Sequence, residues 1–310
     1  MPPGRSLLLL AALGWATTAA AAPPAWSLRD GDRVVLLGDA FVERDGELGI
    51  VESALVAGHP QARLVLRNLG WTGDTVWAES RGVFDPPSAG YARMLALVKE
   101  LHPTVLVVAY GRNESFAGQA GQESFRAQLV RLCADLRTAA AVDRRPDEVG
   151  LVLVTPHPFE NGPGIRAADR DNLAAYAEIV REVAADERAG LVDLHAHLRD
   201  GVAADTRLTT DGSHLSAAGY EAAARVFVAT SGGTRPATST AADDELRRAI
   251  AHKNMLFFHR WRPANETYLF LFRRHEQGNN AVEIGQFDPL VDAAEARIHD
   301  LVRPPADSRP

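Results

Sequence analysis

Five short apolar runs, separated by stretches of helical pattern, constrain what this chain can fold into more than any other feature. They are Val34–Leu37, Leu64–Leu66, Val105–Ala109, Leu151–Val154 and Leu191–Leu194. None alternates polar with apolar residues, as a strand with one wet face would. A nearly continuous apolar run suits a strand buried on both faces, in a parallel sheet with helices on each side. The intervening stretches Tyr91–Leu101, Glu123–Thr138, Asp169–Ala185 and Ala217–Ala229 carry helical patterning. Strand-then-helix alternation predicts a doubly wound, three-layer α/β/α fold on a five-stranded parallel sheet, flavodoxin-like in its layering. Ligands of such folds bind beyond the carboxyl ends of the strands. The residues just after each run are therefore the candidates for chemistry.

The rest of the chain divides around this core. Arg5, the apolar stretch Leu7–Leu13 with Trp15, and the small residues Ala19–Ala22 read as a signal peptide over 1–22. That implies a secreted or periplasmic protein. The apolar stretch is short for a membrane span, which needs ~20 residues, and no other segment is apolar enough to cross a bilayer. The α/β domain is expected over 30–230, followed by a linker rich in Gly, Ser, Thr, Pro and Ala over 231–244. An extension follows at 245–302, and a disordered tail at 303–310. The extension is aromatic: six of the chain's 21 Phe, Trp and Tyr residues fall between Phe257 and Phe272. A net charge of -7 provides no basic surplus for nucleic acid or an anionic membrane. The single cysteine, Cys133, cannot close an intramolecular disulfide, and its helical context suits a buried structural thiol.

Four blocks stand where the fold places chemistry. Gly38-Asp39-Ala40 follows the first run. Thr72-Gly73-Asp74-Thr75 follows the second, and Gly111-Arg112-Asn113-Glu114 the third. Asp211-Gly212-Ser213-His214 precedes the last of the helical stretches. Each alone is weak: Gly-Asp pairs make turns, a lone Asn caps helices, Asp211 could be an Asx-turn residue, and Ser216 is a candidate helix cap. Their order after successive buried strands makes the set specific.

The set resembles the SGNH (GDSL) lipase/acylhydrolase family, with its blocks in order from about residue 33 to 229. The resemblance implies the SGNH hydrolase fold, ester hydrolysis and no cofactor. It implies a Gly73 backbone N–H and an Asn113 amide that stabilise a tetrahedral oxyanion, with His214 as general acid and base, oriented by Asp211. Two departures matter. The third block carries Glu114 where the family has Asp. The first carries Ala40 where the family has its serine nucleophile, and alanine cannot form an acyl-enzyme. Three accounts of that alanine stay open: an engineered serine replacement, a natural binding protein, or a route in which Asp211 and His214 activate water directly. Ser213, Ser115 and Thr72 are weak candidates for a substitute oxygen.

Acylated carbohydrate is the expected ligand, with deacetylation as the expected reaction. A non-catalytic carbohydrate-binding or partner-docking module on the same fold is the alternative. Asp39, Arg112 and Glu114 flank the catalytic blocks, and Arg260, Arg262, Asn265 and Glu266 in the aromatic extension are candidates for binding substrate. The extension's Phe residues read more readily as packing against the core. His195 and His197 form a His-x-His pair that could serve a metal if both lay on one strand face; loop histidines are the simpler reading, and no metal is expected.

Overall fold

A computed structural model describes residues 26–200, 206–234 and 241–302. The expected signal peptide, the tail 303–310 and the middle of the expected linker lie outside them. The strands are β1 (Arg33–Gly38), β2 (Val65–Gly70), β3 (Val105–Ala109), β4 (Gly150–Val154) and β5 (Gly190–Val192). They form one parallel sheet in the order β2-β1-β3-β4-β5. Successive side chains point to opposite faces. Val34 and Leu36 therefore join one core with Val105 and Val107, while Val35 and Leu37 join the other with Leu106 and Val108. This double burial explains why the runs are continuously apolar.

Helices α1 (Ala40–Leu48), α2 (Ile50–Gly58) and α7 (Ala217–Thr230) cover the first face. Helices α3 (Pro87–Leu101), α4 (Gln122–Ala140) and α5 (Ala167–Asp186) cover the second. The fifth run ends as a strand at Val192, and Leu194 opens a short helix, α6 (Leu194–Asp200). His195 and His197 thus sit on a helix, where residues two apart do not face each other. No cluster of metal-ligating side chains occurs among the described residues.

The extension consists of α8 (Ala241–Trp261), α9 (Glu266–Leu269), α10 (Arg274–Gln277) and α11 (Phe287–Val302). Helix α8 starts inside the stretch expected to be linker, and Ser231 at that stretch's other end is buried. The extension wraps the open edge of the sheet. Ile250 and Ile298 join the first core, and Phe257 and Val291 the second. Strand β2 has a neighbour only on its β1 side, and Val65 N–H donates to Asp32 O there. Alternation then turns the Leu64 and Leu66 carbonyls outward. Side chains of the extension meet them: His299 Nε2 lies 2.9 Å from Leu64 O, and Lys253 Nζ donates to Leu66 O at 2.9 Å. Lys253 is fully buried and pairs with Glu52 of α2 at 2.5 Å, and Arg67 of β2 pairs with Glu295 of α11 at 2.5 Å. Buried charges persist only when paired in this way. No helix among the described residues is long and apolar enough to cross a membrane.

Candidate functional site

Register sets the site. Gly38 aligns with Gly70 on one side and Ala109 on the other, so three strands end level. A Cβ on Gly70 would lie 2.1 Å from Glu43 N, so glycine there lets α1 press onto the end of β2. Ala40 comes two residues past this row, Gly73 three and Asn113 four. Asp39 caps α1 by accepting from Phe41 N–H at 2.9 Å. Burial pushes its carboxyl up, opposed chiefly by the charge of Arg112. Ala40 is the first residue of the helix, half-buried, and presents only a methyl group.

The second loop is pinned on both sides of Gly73. Thr72 N–H donates to the Glu43 carboxylate. Asp74 is fully buried and accepts from Arg81 Nε at 2.6 Å and from the Tyr110 hydroxyl at 2.8 Å. Gly73 itself is exposed with φ +78°, a left-handed conformation that costs glycine little. Asn113 Nδ2 donates to Asp74 O at 2.7 Å, which fixes its amide against this loop. The other N–H of that amide has no partner among the described residues and remains available to an oxyanion.

The third part is the loop before α7. Asp211 Oδ1 accepts from Ser213 N–H at 2.9 Å and His214 N–H at 2.8 Å, while its Oδ2 accepts from His214 Nδ1 at 2.8 Å. Those bonds to backbone and imidazole hold the Asp211 carboxyl well below the usual range. They also place the mobile proton of His214 on Nδ1, leaving Nε2 as the basic nitrogen. Arg112 ties this loop to the end of β3: its Nη2 donates to Ser213 Oγ, and its Nη1 donates to His157 Nε2 at 3.1 Å. His157 is buried, and burial beside Arg112 drives its pKa well down, so its ring is neutral. The loop after β4 supports the other side, where Glu160 N–H donates to Gly212 O at 2.9 Å.

Ala40, Gly73, Asn113, Asp211 and His214 therefore share the carboxyl end of the sheet, and Asp39 and Arg112 lie beneath them. Glu114 is used differently from a ligand contact. It is buried, and its two oxygens accept from Val76 N–H at 2.8 Å and Gly111 N–H at 2.9 Å. That makes it a strut between two site loops. Arg260 is committed to Glu100 and Asp288, each at 2.8 Å. Arg262 pairs with Glu43 at 3.0 Å and stacks over Trp71 at 3.7 Å. Asn265 begins α9 without capping it through its side chain, and Glu266 lines a cavity beside Trp71. The Ser115 hydroxyl donates to Arg112 O at 2.7 Å inside the core, and Ser213 is held by Arg112. Thr72 is exposed. Cys133 is buried, which pushes its thiol up to about 12.

The profile of the GDSL-like Lipase/Acylhydrolase family matches residues 14–222. The chain belongs to this family. Among solved structures, an acetylxylan esterase from Geobacillus stearothermophilus is similar, with 19% identity and a TM-score of 0.52 over 68% of this chain and 99% of its own. LAE5, an alpha/beta hydrolase enzyme from the metagenome of Lake Arreo, Spain, has 22% identity and a TM-score of 0.51 over 66% of this chain and 97% of its own. A gut microbial diltiazem-metabolizing enzyme, 12% identical, covers 90% of this chain and 97% of its own, with a TM-score of 0.60. That last share exceeds the α/β domain alone. At these identities the likeness is one of fold, and the sheet topology is that of the GDSL family's hydrolases. No curated protein sequence matches the chain.

Several residues of this GDSL site carry no signal in the sequence. Glu43, Arg81, Tyr110 and His157 lie outside every family block, and all but Arg81 act through a partner 29 or more positions away. The Glu43–Arg262 pair, for example, spans 219 positions.

Proposed function

We propose that this protein is an exported ester hydrolase that removes acyl groups, most directly acetyl groups, from a carbohydrate. The Asp211–His214 hydrogen bond at 2.8 Å carries the reading, because it orients the imidazole and leaves its Nε2 free to accept a proton. Membership of an acylhydrolase family supports ester chemistry, and the acetylxylan esterase among the structural neighbours suggests the acylated sugar.

With Ala40 in the nucleophile position, water takes the part of the attacking oxygen. His214 Nε2 accepts a proton as the water oxygen bonds to the acyl carbon. The resulting oxyanion accepts from Gly73 N–H and the free Asn113 N–H, each such donor being worth about 3 kcal/mol in the transition state. Collapse breaks the bond to the sugar oxygen, which takes the proton back from His214. Acetic acid, which gives its proton to solvent, and a sugar hydroxyl leave. A site lacking one member of a catalytic triad retains roughly 10³-fold acceleration over water in a well-studied protease, so slow turnover by this route is physically reasonable.

A second reading has its own support. The Ala40 methyl favours a protein that binds an acylated sugar and does not cleave it. Turnover by the native protein separates the two, and Ala40→Ser tests the site that both share. Placing a hydroxyl at the start of α1 is expected to raise hydrolysis of p-nitrophenyl acetate by about 10³-fold or more. Unchanged turnover would count against a working oxyanion site and dyad.

A further inference from the structure

The charges at the carboxyl end of the sheet leave one cation over. Glu43 is paired with Arg262, Asp74 with Arg81, and Asp211 with His214. Asp39 and Arg112 are buried and offset each other's charge. Glu114 is buried behind the loops and accepts from two backbone N–H groups. Arg44 of α1 remains. It makes no hydrogen bond and no ion pair with any described residue. Its Nε is buried without a partner, whereas its Nη atoms are not buried. We propose that Arg44 is a specificity-determining residue that binds a carboxylate of the sugar whose ester reacts beside Ala40, so that the substrate is an acylated acidic carbohydrate. The proposal rests on the carbohydrate esterase reading and names the class of its sugar.

The helix puts Arg44 next to the reacting position. It stands one turn after Ala40 on α1, and side chains at that spacing share a face with Cβ atoms about 5–6 Å apart. Long side chains on a helix lean back toward its N-terminus, here toward Ala40 and the strand ends. Its two chain neighbours turn elsewhere. Asp45 accepts from Ile50 and Val51 N–H at 3.1 and 2.8 Å, and Glu43 reaches the second loop through Thr72 N–H. Arg44 lies on the other flank of Ala40, toward the loop that carries His214. Tyr220 belongs to α7, the helix after that loop; its ring stacks on Phe41 at 5.4 Å and its hydroxyl donates to Phe41 O at 2.8 Å. The Arg44 charge acts on this hydroxyl and on Arg112, which donates to Ser213 beside His214.

Charge and shape then choose the ligand. Arg112 donates to two neutral groups, His157 and Ser213. Burial holds it below the ordinary guanidinium range, and the charge of Arg44 pushes the same way. Two guanidinium groups held at one end of a sheet repel each other, and an anion bound by Arg44 relieves both. A cation partly withdrawn from water is costly without a partner, and the planar fork of a guanidinium matches a carboxylate in both geometry and charge. A cationic sugar would add to the surplus, and a neutral one would leave it standing. A phosphate, with a charge of about -2, would exceed it. His214 returns its proton to the sugar oxygen, so a carboxylate on the His214 side belongs to the sugar and not to the acyl group.

Titration calorimetry of the full chain tests the proposal with two matched probes, O-acetylated trigalacturonate and the same compound with its carboxylates methyl-esterified. The native protein is expected to bind the acid about tenfold more tightly than its methyl ester at low salt. Arg44→Gln is expected to abolish that preference, and Arg44→Lys, which keeps the charge, to retain part of it. The proposal is overturned if the native protein binds both probes alike, if neither binds at millimolar concentration, or if Arg44→Gln keeps the preference. Acetate release from the same samples separates this from the esterase reading. A preference that depends on Arg44, without release, would leave an acidic-sugar site standing and remove the hydrolase. Release that is lost on replacing His214, without any preference, would remove the role of Arg44 alone.

Discussion

At position 40 the side chain is a single methyl group, and the residues around it are held by bonds that do not involve it. Asp39 needs only the Phe41 N–H, and the Asn113 amide needs only the Asp74 carbonyl. Titration at the residue scale makes a separate prediction. Burial pushes Asp45 and Glu114 up to about 7, whereas in the unfolded chain both titrate near 4. A folded-state pKa above the unfolded one confers stability that is present at low pH and lost as pH rises through the folded value. His157 has the opposite sign: its pKa is depressed by burial, so its contribution falls as pH drops below about 6.5. Between pH 5 and 7, two carboxyls retain protons in the folded state against one imidazole that refuses one, so stability declines with rising pH. Below pH 4 the depressed Asp211 carboxyl loses its advantage as it protonates. The thermal midpoint is expected to peak near pH 5 and to be lower at pH 8; a midpoint rising steadily from pH 5 to 8 would contradict this account of the buried carboxyls.

Among elements, the contact between the end of α8 and the second loop matters most to the site. Arg262 holds Glu43, Glu43 holds Thr72 N–H, and Thr72 precedes Gly73. The guanidinium also covers Trp71 at 3.7 Å. Oxyanion donors work because they are held in place before charge develops. Arg262→Ala in the Ala40→Ser background is therefore expected to lower kcat about tenfold with little change in thermal midpoint, since Arg262 is only half-buried. An unchanged kcat would mean that the loop holds its shape through Asp74 and Arg81 alone. The sequence reading placed Arg262 among substrate contacts because an arginine beside aromatics suits that role. Its pairing with Glu43, 219 positions away, follows from the packing of α8 on α1 and leaves no local pattern.

On the scale of the whole molecule, the strands were readable because burial on both faces leaves a continuous apolar run. The family blocks were readable because they sit immediately after those strands. The fifth run misled at its end: Leu194 is apolar because it is buried in the first core as part of a helix, and hydrophobicity alone does not separate these cases. The role of the extension was the least legible feature. It covers the β2 edge through Lys253 and Glu52, whose pairing spans 201 positions. Ending the chain after Thr234 would remove the Lys253 cation that pairs with Glu52 and bare the β2 edge to other chains. Such a shortened protein is expected to aggregate in size-exclusion chromatography; a monomer with the full-length unfolding transition would show the extension to be an accessory.

Asp211 and His214 are proposed to perform ester chemistry without a serine at position 40. Acetate release from acetylated xylan by the native protein, measured beside His214→Ala, tests it most directly. The account predicts slow but measurable release that falls to background when His214 is replaced. Release that is absent from the native protein, or that survives the loss of His214, would contradict it.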